Sequence, residues 1–249
     1  SIKNKILEDI IKPNFKDLLK YSGGISFTKM IFTYSNQNYQ DELIDLYIKD
    51  YFKIPLEKLK LIKESENNEN KNDNKDVEME DNKDKKKKKE DNNIIVDNSQ
   101  KSVEVEDLIT RVKTHLDKQL EKEINKNFIF HGFLNKIFDY LDEKTQIYIT
   151  ELFDDDIGYF MDSNYGFELL MKMYSISSAK TRKRVIRFVR DNMDDYLNND
   201  KGTCFIIKVI LFTDDTVNIN KTFMNAIIDK LNENIIENKN CLKIIWNIL

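Results

Sequence analysis

Apolar residues recur at three- and four-residue spacings along most of the chain. Leu108, Val112, Leu116 and Leu120 repeat every fourth residue within Glu104 to Ile124. Asp142 to Asp162 sets Ile147, Ile149, Leu152, Ile157, Phe160 and Met161 on one broad face. Lys180 to Leu197 carries a stripe of Val185, Ile186, Val189, Met193, Tyr196 and Leu197. Asp215 to Ile236 does the same with Val217, Phe223, Ile227, Ile228, Leu231 and Ile235. These are helical periods, not the alternation of strands, and they predict an all-α chain.

Between these helices lies a shorter kind. It occupies Tyr21 to Phe32, Asn127 to Phe138, Ser163 to Tyr174, Asp200 to Leu211 and Asn238 to Leu249. Most copies open with a small or polar residue and continue as an apolar helix. The last four start 36 to 38 residues apart. A period of that size predicts a helical-repeat solenoid, in which no unit buries its own face and stacking creates the core. About five such units account for the length. The organisation read from this is repeats over 1–61, an insert over 62–103, and further repeats over 104–249.

The insert stands apart by composition. From Lys63 to Asn93, 28 of 31 residues are Lys, Asp, Glu or Asn, so the segment has almost nothing apolar to bury and reads as disordered. Its run Lys85 to Lys89 fits a nuclear or nucleolar address, a nucleic-acid tail, or a merely solvated insertion. With 6 Gly and 2 Pro the chain lacks the punctuation of an all-β fold. With 2 Cys and 2 His it cannot build a disulfide framework or a Cys/His zinc module. No run of 18 apolar residues is present to span a membrane, and the polar start at Ser1 shows no signal peptide.

A 36-residue helical period is compatible with several families. The tetratricopeptide pattern needs Ala and Pro at fixed places, and this chain has two of each. The form polar-Gly-x-x-apolar-apolar, best seen at Tyr165 to Leu170 and Lys201 to Ile206, resembles the pumilio repeat. Three further stretches are similar in order and spacing to the C-terminal region of the Puf-A-like nucleolar pumilio family: Ala179 to Ile186, Phe212 to Val217 and Ile235 to Ile245. The resemblance covers 104–249 well and 1–61 more loosely. It implies an α-solenoid of about five pumilio-type repeats forming half of an L-shaped superhelix, with an N-terminal half missing. It also implies a nucleolar protein of large-subunit ribosome assembly and pre-rRNA processing. Its partners would be pre-rRNA, with mRNA or DNA as other nucleic-acid ligands, and pre-ribosomal proteins.

Ordinary pumilio repeats read one base each from the second helix of the unit. In the Gly-anchored register those positions fall at Ile25, Ser26 and Lys29; His131, Gly132 and Asn135; Phe167, Glu168 and Met171; Thr203, Cys204 and Ile207; and Leu242, Lys243 and Trp246. None forms a full reading triplet, and a Met or Ile cannot hydrogen-bond a base edge. The base code is absent, which leaves phosphate contacts.

The chain has 35 Lys but only 5 Arg, so Arg is the more informative cation. Four of the five, Arg182, Arg184, Arg187 and Arg190, fall within nine residues, joined by Lys180 and Lys183. With Val185, Ile186, Val189 and Met193 toward the core, these cations project away from it, and guanidinium forks suit phosphate. Lys136, Lys172 and Lys208 recur at the repeat period and are expected to stack into a second positive track. Together these features would neutralise roughly five phosphates and lower single-strand affinity about a hundredfold between 50 and 200 mM salt.

No catalytic motif is present. His115 and His131 lack a Ser or Cys partner at triad spacing. Cys204 and Cys241 read as small core residues, Trp246 as core or end-cap packing, and Asp154 to Asp156 as a solvated turn. The expectation is a non-enzymatic RNA scaffold without cofactor, metal or small-molecule substrate. A HEAT-like protein-interaction solenoid and a sequence-specific mRNA repressor with its code upstream are the alternatives. The net charge of -4 does not exclude nucleic acid, because the Arg is concentrated on one helix.

Overall fold

A computed structural model describes residues 5–52, 107, 110–118, 126–153, 155–215, 217, 219–234 and 239–248. The insert at 62–103, with Lys85 to Lys89, lies outside them. Among the described residues every element is a helix. The chain is an all-α solenoid.

A π-helical segment, Leu7–Ile11, runs into α1 (Lys12–Leu18), followed by α2 (Ser22–Tyr34) and α3 (Gln37–Phe52). A helical stretch over 110–118 precedes α4 (Phe128–Phe138) and α5 (Glu143–Leu152). Two units then repeat one plan of short, inner and outer helix. The first is α6 (Ile157–Met161), α7 (Asn164–Ile176) and α8 (Ala179–Asp191). The second is α9 (Met193–Leu197), α10 (Asp200–Phe212), and a π-helical segment Ile219–Met224 leading into α11 (Asn225–Asn234). The inner helix α12 (Lys239–Ile248) follows.

Two apolar stripes that read as single helices are broken. The stripe from Lys180 to Leu197 bends at Asn192, whose backbone leaves the helical region (φ -117°, ψ 27°). Its side-chain amide donates to Phe188 O at 2.7 Å, satisfying a carbonyl at the helix end. The stripe from Asp142 to Asp162 breaks after Phe153 in the same way (φ -110°, ψ 15°). Each break turns the chain into the short helix of the next unit. One periodic stripe thus feeds the core from two helices, and Met193, Tyr196 and Leu197 are buried beyond the bend.

The inner helices start alike because their first turns solve the same problem. Ser163 Oγ accepts from Gly166 N at 2.9 Å, and Asn199 Oδ1 from Gly202 N at 2.6 Å. Each cap satisfies an amide that the helix leaves open. A Cβ on Gly166 would run into Phe160 O, and one on Gly202 into Tyr196 O. Glycine is needed here for close backbone approach. Gly24 meets Leu18 O in the same manner, so α2 shares the signature. In α4 and α12 the equivalent places hold Phe130 and Cys241, both buried.

The inner helices stack in the order α3, α4, α7, α10, α12. The first of these was not foreseen: α2 touches α4, yet α3 lies along it in the way α4 lies along α7. The core between layers is aromatic, with Phe130, Phe133, Phe153, Phe160 and Phe205 all buried. Such rings bury large areas and resist truncation.

Candidate nucleic-acid interface

Helix α8 begins at Ser178, whose Oγ accepts from Thr181 N at 3.3 Å. Thr181, Val185, Ile186 and Val189 are buried on one face. The opposite face carries Lys180, Lys183, Arg184 and Arg187, all exposed, while Arg182 and Arg190 are half-buried. The six cations have different tasks. Arg182 donates to Phe212 O at 3.0 Å and to Ser175 O at 3.3 Å. It also approaches Asp214 at 3.5 Å and stands 5.9 Å from the centre of the Tyr174 ring. It therefore ties α8 to the C-terminal ends of α7 and α10. Lys183 faces Asp215 at 3.9 Å, and Arg190 pairs with its neighbour Asp191 at 2.8 Å. Among the described residues Lys180 and Arg187 have no ion-pair partner, and with Arg184 they form the outward part of the patch.

The lysines at the repeat period lie on successive inner helices and reach backward along the stack. Lys136 on α4 pairs with Asp45 at 2.9 Å and Asp41 at 3.2 Å, both on α3. Lys172 on α7 pairs with Asp139 at 2.7 Å and donates to Asn135 O at 3.3 Å. Each binds the preceding layer. Lys208 on α10 breaks the series, because Ser175 holds the place that Asp139 holds for Lys172. Its ammonium lies 3.3 Å from the centre of the Phe212 ring, and burial lowers its pKa.

Several of the positions that would read bases are taken up by the stack. His131 is fully buried, lies 2.9 Å from Ser163 Oγ through Nδ1, and stacks on Phe160 at 4.4 Å. Asn135 donates to Glu168 Oε2 at 2.8 Å, joining two reading positions to each other. Thr203 is fully buried, while Phe167, Met171 and Ile207 are half-buried and apolar. A base edge finds no matched donor-acceptor set there.

Sequence reasoning missed the polar cluster where α3 meets α7. Gln37 donates to the Tyr165 hydroxyl at 2.5 Å, and that hydroxyl donates to Asp41 at 2.8 Å. Burial first, and Asp41 second, push the Tyr165 pKa well above the usual phenol range. The only sequence signal was the spacing of Asp41 and Asp45 on one helical face. Two further expectations are corrected. Trp246 is 86% exposed rather than packed, and Cys204 is exposed while Cys241 is buried.

Among the described residues no group of three or more His, Cys, Asp or Glu side chains is placed to hold a metal ion. No described helix is long and apolar enough to cross a membrane.

No family model matches the chain, and no solved structure does. One curated protein does, the Pumilio homology domain family member 6 of Saccharomyces cerevisiae. The identity is 22% over 139 residues, covering 55% of this chain and 21% of that protein. The chain thus spans about a fifth of the length of the relative it matches. The chain is thus an all-α solenoid of stacked, capped inner helices with a distant likeness to a pumilio-homology protein over rather more than half its length.

Proposed function

We propose that the chain is a non-enzymatic scaffold that holds RNA by its phosphates, without reading sequence, through the outward face of α8. The observation that carries this reading is the division of labour on that helix. Arg182 is committed to backbone carbonyls, whereas Lys180, Arg184 and Arg187 are exposed at three- and four-residue spacings. That spacing puts their head groups on one side of the helix, and guanidinium forks match phosphate oxygens. The distant likeness to a pumilio-homology protein supports the RNA reading. The internal use of the base-reading positions supports recognition by phosphate rather than sequence.

The resemblance to Puf-A-like proteins supports a finer reading: a nucleolar role in large-subunit ribosome assembly and pre-rRNA processing, with pre-ribosomal proteins docking on the same solenoid. A tagged chain should then concentrate in nucleoli and co-sediment with large-subunit precursors. An even cytoplasmic distribution would remove that part.

RNA binding itself is tested by titrating unrelated RNA sequences across salt. With three or four phosphates engaged, the salt slope for a single strand is about -2 to -3. Affinity should fall about thirtyfold between 50 and 200 mM salt and differ little between sequences. Reversing Lys180, Arg184 and Arg187 to Glu should weaken every RNA alike. Unchanged affinity at matched salt would overturn the assignment, and selection of a fixed motif would favour a sequence-specific repressor.

A further inference from the structure

The inner helices change character along the stack. Helices α3, α4 and α7 carry Lys49, Lys136 and Lys172 against Asp41, Glu42, Asp45, Asp50 and Glu168. Helices α10 and α12 carry Lys201, Lys208, Lys239 and Lys243 against a single acid, Asp200. One position shows the exchange. Asp139 at the end of α4 and Ser175 on α7 are followed, at the repeat period, by Leu211 on α10. Asp139 binds Lys172, whereas Leu211 is 59% exposed and Lys208 lies on the Phe212 ring instead of an acid. A negative charge has been replaced there by apolar surface.

An ion pair joins one side of α10 to one side of α12. On α10, Asp200, Cys204, Ile207 and Leu211 follow one another at three- and four-residue spacings, which set them on a single side. Cys204 and Leu211 are exposed and Ile207 is half-buried. On α12, Lys239, Leu242, Lys243 and Trp246 share a side in the same way, and all four are exposed. Lys243 Nζ donates to Asp200 Oδ1 at 2.6 Å. Lys243 first, and Lys239 second, hold the Asp200 carboxyl below the usual carboxylate range. Both lysines therefore face the first turn of α10, and the two sides meet along one surface.

We propose that this surface docks an acidic, amphipathic segment of a partner protein, its apolar side chains covering Leu211, Leu242 and Trp246 and its carboxylates meeting Lys208, Lys239 and Lys243. Exposed apolar surface rimmed by charge marks a protein-binding face. The excess of lysine over acid fixes the sign of the partner, and a basic segment would meet like charge. The aliphatic side chains fix its class. Ile207, Leu211 and Leu242 gain only by leaving water, about 25 cal/mol per Å². Apolar side chains supply that cover and a phosphate chain does not. Trp246 is the residue type that most often anchors such an interface. The inference goes beyond the phosphate reading of α8 and does not rest on it.

The probe is a random peptide library of about 16 residues, roughly 24 Å long as a helix, displayed on phage and panned on the full chain. Counter-selection on a variant with Lys239→Glu, Lys243→Glu and Trp246→Ala removes peptides that bind elsewhere. The survivors should be rich in Asp and Glu and carry Leu, Ile or Phe at helical spacing. The chain contains one tryptophan, so its emission reports on this surface alone. A synthetic copy of the most enriched peptide should shift that emission to the blue, saturating at the Kd read from peptide anisotropy. Trp246→Ala should weaken the peptide about tenfold or more, as for a central interface aromatic. Lys239→Glu with Lys243→Glu should do the same. All three side chains are exposed, so helical content should not change. Reversing Lys180, Arg184 and Arg187 to Glu should leave peptide affinity within about twofold, as for an independent site. Enrichment of no peptide over the variant, or of peptides without acids, would overturn the inference and leave RNA binding by α8 untouched. Displacement of the peptide by a uridine RNA that quenches Trp246 would overturn it in favour of nucleic acid. Peptide binding that persists while the chain binds no RNA would overturn the α8 reading alone.

Discussion

Lys172 and Arg187 are cations of the same repeat unit in opposite circumstances. Lys172 sits on the inner helix α7 and is held by Asp139 and the carbonyl of Asn135 on the preceding layer. Arg187 sits on the outer helix α8, exposed and without an ion-pair partner among the described residues. Both were read from sequence as phosphate ligands. The structure separates them by what lies one layer back. An inner helix always has a neighbour at the repeat distance, so a lysine there finds an acid when the neighbour supplies one. An outer helix presents one face to solvent, and a cation there stays available. Arg182 shows the boundary: it belongs to the basic helix by sequence and to the packing by geometry.

Four perturbations sharpen this contrast. The largest effect belongs to neither set of cations. Phe205→Ala removes a fully buried ring between layers and should cost about 3–5 kcal/mol in denaturant unfolding. RNA affinity of the remaining folded fraction should not change. Next comes the triple reversal of Lys180, Arg184 and Arg187 to Glu. It should lower RNA affinity by about ten- to a hundredfold at 50 mM salt, read by anisotropy, with the unfolding midpoint nearly unmoved. Arg182→Ala should do the reverse. It removes charged hydrogen bonds to Phe212 O and Ser175 O, and should cost about 1–3 kcal/mol of stability with a small change in RNA affinity. The smallest effect is expected at Lys172→Met. A half-exposed pair contributes at most about 1 kcal/mol, and RNA affinity should stay within about twofold.

Much of the fold was legible because a solenoid repeats its own signals. The Gly at 166 and 202, the polar caps before them and the apolar stripes gave the units and their period. The breaks at Phe153 and Asn192 were not legible, since the apolar stripe runs on through both. The role of α3 was hidden for a different reason. Its contacts to α4 and α7 join residues separated by more than 90 positions, as in the bond of Lys136 to Asp45 and of Tyr165 to Asp41. No repeat signal marks such a contact. At the site, sequence placed the cations of α8 on the right face, because helical periodicity fixes direction. It could not tell Arg182 from Arg187, because the partners of Arg182 are backbone carbonyls of two other helices. Backbone acceptors leave no trace in residue identity.

The central claim is that the outer helix, and not the inner lysine row, meets phosphate. Its most direct test is a salt titration of single-stranded RNA binding by three proteins. These are the unaltered chain, a variant with Lys180, Arg184 and Arg187 changed to Gln, and one with Lys136 and Lys172 changed to Met. The account predicts a log-log slope of about -2 to -3 for the first and third, and a slope near zero for the second. A slope flattened by the inner pair and kept by the outer triple would contradict it.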